Sequence, residues 1–347
     1  MSYGKLEYSR EDVNRSGKLL LSQDKLEESN HVIDIVDNWR AAHAYPTQVI
    51  FVTLKRRAES IFKGAQVGQR IKRLPSIIKK LEKEKEMKLS QMQDIGGCRV
   101  ILNDIQQVYR LQEKIESSRW KHEKLQGKNY IKNPKNSGYR GIHLRYRYRG
   151  EGSKSGYNGL KVEIQIRTML QHVWATAVEA AEVFTQQEIK ASRGKPEWER
   201  FFALMGSVFA LWEKCPLVPE TPNSYDDLCL EIKNLCEKYN IVNLFIGYAN
   251  AIKITENKVG KSDYYCLIIL DPVAKRVGIR RFKKKEYKLA NAAYIDAERN
   301  KSKEEQSQIV LVSVSSIKSL KRIYPNYFLD TKKFVTEVTK VVKDRVS

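Results

Sequence analysis

Val162-Glu163-Ile164-Gln165-Ile166-Arg167-Thr168 alternates apolar and polar side chains. In an extended strand successive side chains face opposite ways. Val162, Ile164 and Ile166 therefore take one face, and Glu163, Gln165 and Arg167 the other. A row of Glu, Gln and Arg makes a polar floor for a ligand; a sheet with one solvated face gives the same pattern. Upstream, Asp94-Ile-Gly-Gly-Cys-Arg-Val sets a second carboxylate before a glycine pair and a strand. Between the two lies Lys135-Asn-Ser-Gly-Tyr-Arg-Gly-Ile-His143. The ring of Tyr139, after Gly138, can lie against a base there, a contact worth roughly 1–3 kcal/mol.

Strands are expected at 97–102, 142–149 and 160–166, with a helix at 105–118 between the first two. Helical spacing covers 26–43 (Leu26, Val32, Ile33, Val36, Trp39), and further helices are expected at Pro46–Gly64, Ser76–Met87, 169–189 and 196–214. Strands alternating with helices argue for an α/β or α+β catalytic domain. The stretch Cys215–Ser224 holds three prolines and reads as a linker. Beyond it, a helix is expected at Tyr225–Tyr239, strands at 241–255, 263–270, 276–282 and 308–314, a turn from Asp271, and an amphipathic helix at Thr331–Val342. The expected division is thus 1–214, a linker at 215–224, and 225–347.

A chain of 347 residues exceeds a typical single domain. Hydrophobic content of 41% and aromatic content of 10% suffice for real cores. Lys+Arg 63 against Asp+Glu 41 leaves a net charge of +22, which points to a polyanionic partner rather than to solubility alone. No apolar run reaches transmembrane length and the start has no signal core, so a cytoplasmic protein is expected. The five cysteines (Cys98, Cys215, Cys229, Cys236, Cys266) are widely spaced, as reduced thiols are. All five histidines precede residue 173, which argues against a zinc site in the C-terminal third.

Asp94 and Glu163 together can hold Mg²⁺ against a triphosphate, and Glu163 can accept a proton from an attacking hydroxyl. An Asp beside Gly is equally suited to capping a turn. Arg70-Ile-Lys-Arg73 and Ser76-Ile-Ile-Lys-Lys80 add a basic face of polyphosphate size. A solvated helix carries such charge too, and no Walker A pattern is present. In Leu144-Arg-Tyr-Arg-Tyr-Arg149 the period of two places Arg145, Arg147 and Arg149 on one face, suited to a nucleic-acid backbone.

In order and spacing, these segments resemble the RelA/SpoT-type nucleotide pyrophosphokinases over about residues 30–190. The resemblance implies a mixed sheet flanked by helices, of nucleotidyltransferase type. It implies transfer of pyrophosphate from ATP to a 3′-hydroxyl, with Mg²⁺ on Asp94 and Glu163. Arg70, Lys72, Arg73, Ser76, Lys80 and Arg99 would bind ATP. Lys135, Ser137, Tyr139, His143, Gln165 and Arg167 would bind the acceptor. Glu163 would activate its hydroxyl. The family's housekeeping members usually carry Asn where Ser137 stands, and no histidine-aspartate hydrolase domain is expected ahead of the synthetase.

The remainder resembles the CapRel group, in which a toxic synthetase is fused to its own antitoxin domain. That likeness implies a smaller C-terminal α+β domain, similar to a zinc finger but without zinc. It also implies a Tyr-x-x-Tyr element, here Tyr324-Pro-Asn-Tyr327, closing the ATP site. The acceptor would be the 3′ end of tRNA, bound in part by Arg145, Arg147 and Arg149. The trigger would be a phage structural protein such as a capsid protein, and the outcome a translation block in antiphage defence. A monomer without membrane contact is expected. The other readings are a (p)ppGpp synthetase acting on GDP or GTP, and a catalytically idle RNA-binding regulator.

Overall fold

The computed structural model describes residues 4–21, 29–185, 194–247, 264–271, 276–300, 308–313 and 327–344. The chain divides into two compact units: Met1–Tyr130 with Gly141–Met169, and Ile131–Arg140 with Leu170–Ser347.

The first unit opens with helix α1, Arg10–Leu19. Ser9 caps it: its Oγ accepts from Asp12 N, while the Asp12 carboxylate accepts from Ser9 N. Helices α2 (Ser29–Ala42) and α3 (Ala44–Ile61) follow, then strand β1 (Gln66–Ile71), helix α4 (Leu74–Lys83), strand β2 (Gly96–Leu102) and helix α5 (Ile105–Glu116). Strands β3 (Glu123–Asn129), β4 (Ile142–Arg147) and β5 (Lys161–Thr168) complete it. The five strands form one sheet in the order β1-β2-β5-β4-β3, with only the β2–β5 pair parallel. The architecture is therefore α+β, a mixed sheet flanked by helices.

The apolar face of this sheet carries Cys98, Val100, Leu102, Ile142, Leu144, Val162, Ile164 and Ile166, all buried. Helices α3 and α5 pack against its strands. Gly96 lets α3 approach: a Cβ there would lie 2.2 Å from Thr47 Oγ1. A separate cluster joins Val13, Trp39, Ile77, Leu81, Leu89, Ile95, Tyr148 and Tyr157 beneath α1, α2 and α4.

The second unit contains helices α6 (Met169–Thr185), α7 (Pro196–Trp212) and α8 (Tyr225–Tyr239), and a C-terminal helix, Tyr327–Lys343. Phe201, Phe202, Phe209, Phe245 and Phe334 form one aromatic cluster, with Phe334 stacked on Phe202 at 6.0 Å between centroids. Strands at Tyr264–Asp271, Arg276–Lys283 and Gln308–Ser313 form an antiparallel sheet with the first in the middle, and the helix Tyr287–Asn300 packs on it.

The structure corrects one element outright. The stretch at 241–247 is helical rather than the first half of a strand. Its β-branched and aromatic residues suggested extension, but Ile241, Leu244 and Phe245 are the buried ones, and that i, i+3, i+4 spacing belongs to a helix. Asn240, with φ 53°, turns the chain between this helix and α8. Among the described α-helices and strands, α1, β1, β3 and the helix Tyr287–Asn300 carried no expectation. Strand β4 ends at Arg147, so Arg149 lies beyond it. Among the described residues no helix is long and apolar enough to cross a membrane, and all five cysteines are free.

Candidate active site

Strand pairing lines up the polar residues in rows across the second face of the first unit's sheet. Arg70 opposes Gly97, Gly97 opposes Glu163, and Glu163 opposes Arg145. The next row runs Gly68, Arg99, Gln165, His143, Lys128. Gly68 and Gly97 keep the floor low between long cationic side chains: a Cβ at Gly68 would meet nothing within 4 Å, and one at Gly97 only ordinary contacts. At its centre the face is buried, Glu163 being 6% exposed and Arg167 3%, while Arg70 and Lys128 at its edges are exposed.

Glu163 is held from both sides. His143 Nδ1 donates to its Oε1 at 3.0 Å, and Gln165 Nε2 donates to its Oε2 at 2.8 Å. Arg167 Nη2 in turn donates to Gln165 Oε1 at 3.3 Å, and Arg145 Nε lies 3.8 Å from Glu163 Oε1. Burial and the nearby charge of Asp94 work to raise the Glu163 carboxyl. The hydrogen bonds and charge of His143, with help from Gln165, outweigh them and leave it below the usual glutamate value. Glu163 is thus an oriented, ionised carboxylate at neutral pH. Arg167 is a buried cation with no carboxylate at ion-pair distance among the described residues, and its Nε has no protein hydrogen-bond partner.

Asp94, just ahead of β2, meets two lysines. Lys72 Nζ donates to Oδ2 at 2.5 Å and Lys80 Nζ to Oδ1 at 3.0 Å. Lys72 follows β1 and its backbone is fixed twice: its N–H donates to Ile95 O, and its carbonyl accepts from Arg40 Nε. Lys80 comes from α4, whose first turn carries Pro75. Burial alone would raise the Asp94 carboxyl; the two lysines overcome it and hold it at about 2, against an ordinary 3.8. Between these values the unfolded chain binds the proton and the folded chain does not. The resulting stabilisation is therefore present above pH 4 and lost as pH falls towards 2. It amounts to about 2 kcal/mol. In urea unfolding, the advantage of wild type over Asp94→Asn is expected to shrink by about that amount between pH 5 and pH 2. An unchanged difference would mean the lysines do not hold Asp94 in solution.

The donor set fits Mg²⁺. That ion commonly takes one or two protein carboxylates and completes its shell with water and substrate phosphate. Asp94 and Glu163 supply two carboxylates, and the described residues hold no cluster of three or more metal-ligating side chains.

The remaining expected site residues fall as follows. Arg70 ends β1 and is exposed; Arg73 and Ser76 lie at the start of α4, both half-buried. Arg99 faces the polar floor from β2. Arg147 and Arg149 both pair with Glu123, at 2.5 Å each. Lys135, Ser137 and Tyr139 belong to the second unit, in the loop between β3 and β4. There Lys135 Nζ stands 5.4 Å from the Tyr139 ring, and that ring meets Trp174 edge-on at 6.2 Å. Tyr139 is half-buried. Gly138 carries φ 91°, and a Cβ on it would lie 2.6 Å from Phe202 O. Only glycine fits that seat. Tyr327 opens the C-terminal helix, while Tyr324 lies outside the described residues. The sequence reading missed Lys128, which shares a row with His143 and Gln165; β3 had no strand signal to place it.

Residues 69–188 match a family model described as the region found in RelA / SpoT proteins. The matched stretch runs from β1 through α6 and so spans most of the elements that build this site. Two curated relatives are GTP pyrophosphokinases of Bacillus subtilis (strain 168). YwaC is 34% identical over 116 residues, which is 31% of this chain and 52% of YwaC. YjbM is 32% identical over 112 residues, 32% of this chain and 52% of YjbM. The chain spans about half the length of the curated relatives it matches. Among solved structures, small alarmone synthetase 1 from Bacillus subtilis is 21% identical with a TM-score of 0.44, covering 51% of this chain and 92% of that one. The same enzyme bound to its product pppGpp is 22% identical, with a TM-score of 0.44 and the same coverage of both chains.

Proposed function

We propose that this protein transfers a pyrophosphoryl group from ATP to a ribose 3′-hydroxyl, with a guanosine nucleotide as acceptor. The observation that carries the reading is Glu163: a buried, ionised carboxylate, oriented by His143 and Gln165, on a face lined with cations. The names of the curated relatives favour the guanosine acceptor.

In the proposed reaction the 3′-hydroxyl oxygen forms a bond to the β-phosphorus of ATP. The bond from that phosphorus to the oxygen bridging to the α-phosphate breaks, and AMP leaves with the electron pair. The hydroxyl proton passes to Glu163, which the hydrogen bonds to His143 and Gln165 keep aimed. Arg70, Lys72, Lys80 and Arg99 offset the charge of the phosphates, the main protein contribution in phosphoryl transfer. Asp94 and Glu163 would hold Mg²⁺, which would supply neutralisation of the phosphate charge. Tyr139 offers a ring for the acceptor base, with Lys135 and Ser137 beside it in the loop.

A second reading keeps the chemistry and replaces the acceptor with the 3′ end of tRNA. The net charge of +22 favours it. In this version residues 1–214 are the toxin, 215–224 the linker and 225–347 the antitoxin. Tyr324 and Tyr327 close the ATP site, and a phage structural protein opens it to block translation.

Supplying ATP with either GTP or bulk tRNA separates the two. Product on GTP supports the first, and product on the tRNA 3′ adenosine the second. In either case a 3′-deoxy acceptor is expected to yield nothing, and product formed on it would reject the shared chemistry.

A further inference from the structure

One row beyond Glu163 and Arg145, the polar face of the sheet continues through Lys161, opposite Arg147. Adjacent rows on one face are two residues apart, about 6.6 Å along a strand. At this end lies a cavity of about 360 Å³, to which Arg10, Arg147, Arg149 and Lys161 all contribute. Glu123 is the carboxylate at ion-pair distance of Arg147 and Arg149. Arg10 and Lys161 have no such carboxylate among the described residues. Four cations thus face one carboxylate, leaving an excess of about three positive charges.

The cavity is built rather than incidental. Asn158 clamps Gly150 in both directions: its Oδ1 accepts from Gly150 N at 2.6 Å and its Nδ2 donates to Gly150 O at 3.1 Å. Backbone bonds from Tyr148 N to Leu160 O and from Gly159 N to Tyr148 O fix the two walls. Gly159, with φ 86°, makes room for Arg10, because a Cβ there would stand 2.3 Å from Arg10 Nη2. Burial, together with the charges of Arg147 and Arg10, pushes the Lys161 ammonium below its ordinary value. A cation crowded by cations gains from a bound anion.

We infer that this cavity is a phosphate-binding subsite for a ligand bearing clustered phosphates, separate from the row that carries Glu163. No aromatic side chain lines it, so it reads charge rather than a base. Its volume lies at the lower end of small-ligand sites, roughly 300–1,000 Å³. The excess charge exceeds what one phosphate offsets. Consecutive phosphodiesters of an RNA strand and the polyphosphate of a free nucleotide share the required chemistry. The inference deepens the proposed function by adding an anchor beside the reacting hydroxyl, and it rests on that reading only for the anchor's purpose.

The test measures binding alone, in the Glu163→Gln background and with ATP left out so that no transfer intervenes. Failure of the transferase reading is seen instead in AMP release by wild type. One arm uses a labelled single-stranded RNA ending in CCA, the other a fluorescent GTP analogue. Arg10→Gln with Lys161→Gln is expected to weaken one arm at least about tenfold. For RNA, the slope of log affinity against log salt should fall by roughly 0.7 for each phosphate no longer neutralised. The charge-preserving pair Arg10→Lys with Lys161→Arg should bind as its parent does. Loss in the RNA arm identifies a polynucleotide, and loss in the nucleotide arm a free nucleotide. Should the Gln pair fail to fold, shielding of Lys161 from acylation by inorganic tripolyphosphate in wild type reports on the same site. Unchanged binding in both arms by a folded Gln pair, or no shielding, overturns the inference.

Discussion

Glu163→Gln is expected to lower the rate of pyrophosphate transfer by about 10²- to 10⁴-fold, the usual contribution of a positioned general base. The amide keeps the shape of the carboxylate but cannot take the proton. Folding should survive: Gln Oε1 can still accept from either His143, which stands 3.0 Å from the carboxylate, or Gln165, and the arginine nearest the replaced charge is Arg145 at 3.8 Å. The loss should fall chiefly on kcat, and any rise in the KM for ATP measures the share of Glu163 in holding Mg²⁺. Rates are to be read as AMP formed under saturating ATP and acceptor. A variant retaining more than a tenth of wild-type activity would remove Glu163 from the proton-accepting role.

The second large effect is on stability. Gly138→Ala puts a Cβ 2.6 Å from Phe202 O and 2.9 Å from Trp174 Cζ2, on a backbone with φ 91°. Neither neighbour yields readily, one being a main-chain carbonyl and the other a buried indole whose Nε1 donates to Phe202 O. Positive φ costs a non-glycine residue roughly 1–3 kcal/mol, and overpacking adds about as much. A loss of roughly 2–5 kcal/mol is expected, visible as a lower denaturant midpoint. If Tyr139 holds the acceptor base as proposed, transfer activity should fall as well, because the same turn carries it. A variant as stable as wild type would show that the loop does not seat on Phe202 in solution.

The sequence was most legible where burial imposes a period. Strand β5 announced itself because Val162, Ile164 and Ile166 must all reach one core. The carboxylates on β5 and before β2 followed from that strand and its partner. The edge strands were silent for the converse reason. Strand β1, Gln-Val-Gly-Gln-Arg-Ile, and strand β3, Glu-Lys-Leu-Gln-Gly-Lys-Asn, flank the sheet and bury little, so neither carries an apolar alternation. Losing β1 hid where Lys72 goes. In sequence, residues 70–80 read as one basic face; in the fold, β1 ends and α4 begins within them, bringing Lys72 and Lys80 to opposite oxygens of Asp94. The stretch at 241–247 shows the opposite error, where β-propensity outvoted a short helical period. The burial of Glu163 and Arg167 could not be read at all, because alternation alone does not say whether the polar side is wet.

In the proposed reaction both terminal phosphates of ATP move together. The direct measurement incubates the protein with ATP labelled separately at the β- and γ-phosphorus, Mg²⁺ and GTP or tRNA, and follows nucleotide products and acceptor. The expected result is AMP formed one for one with acceptor that carries both labels. Formation of ADP, or acceptor that carries the γ label alone, would contradict it.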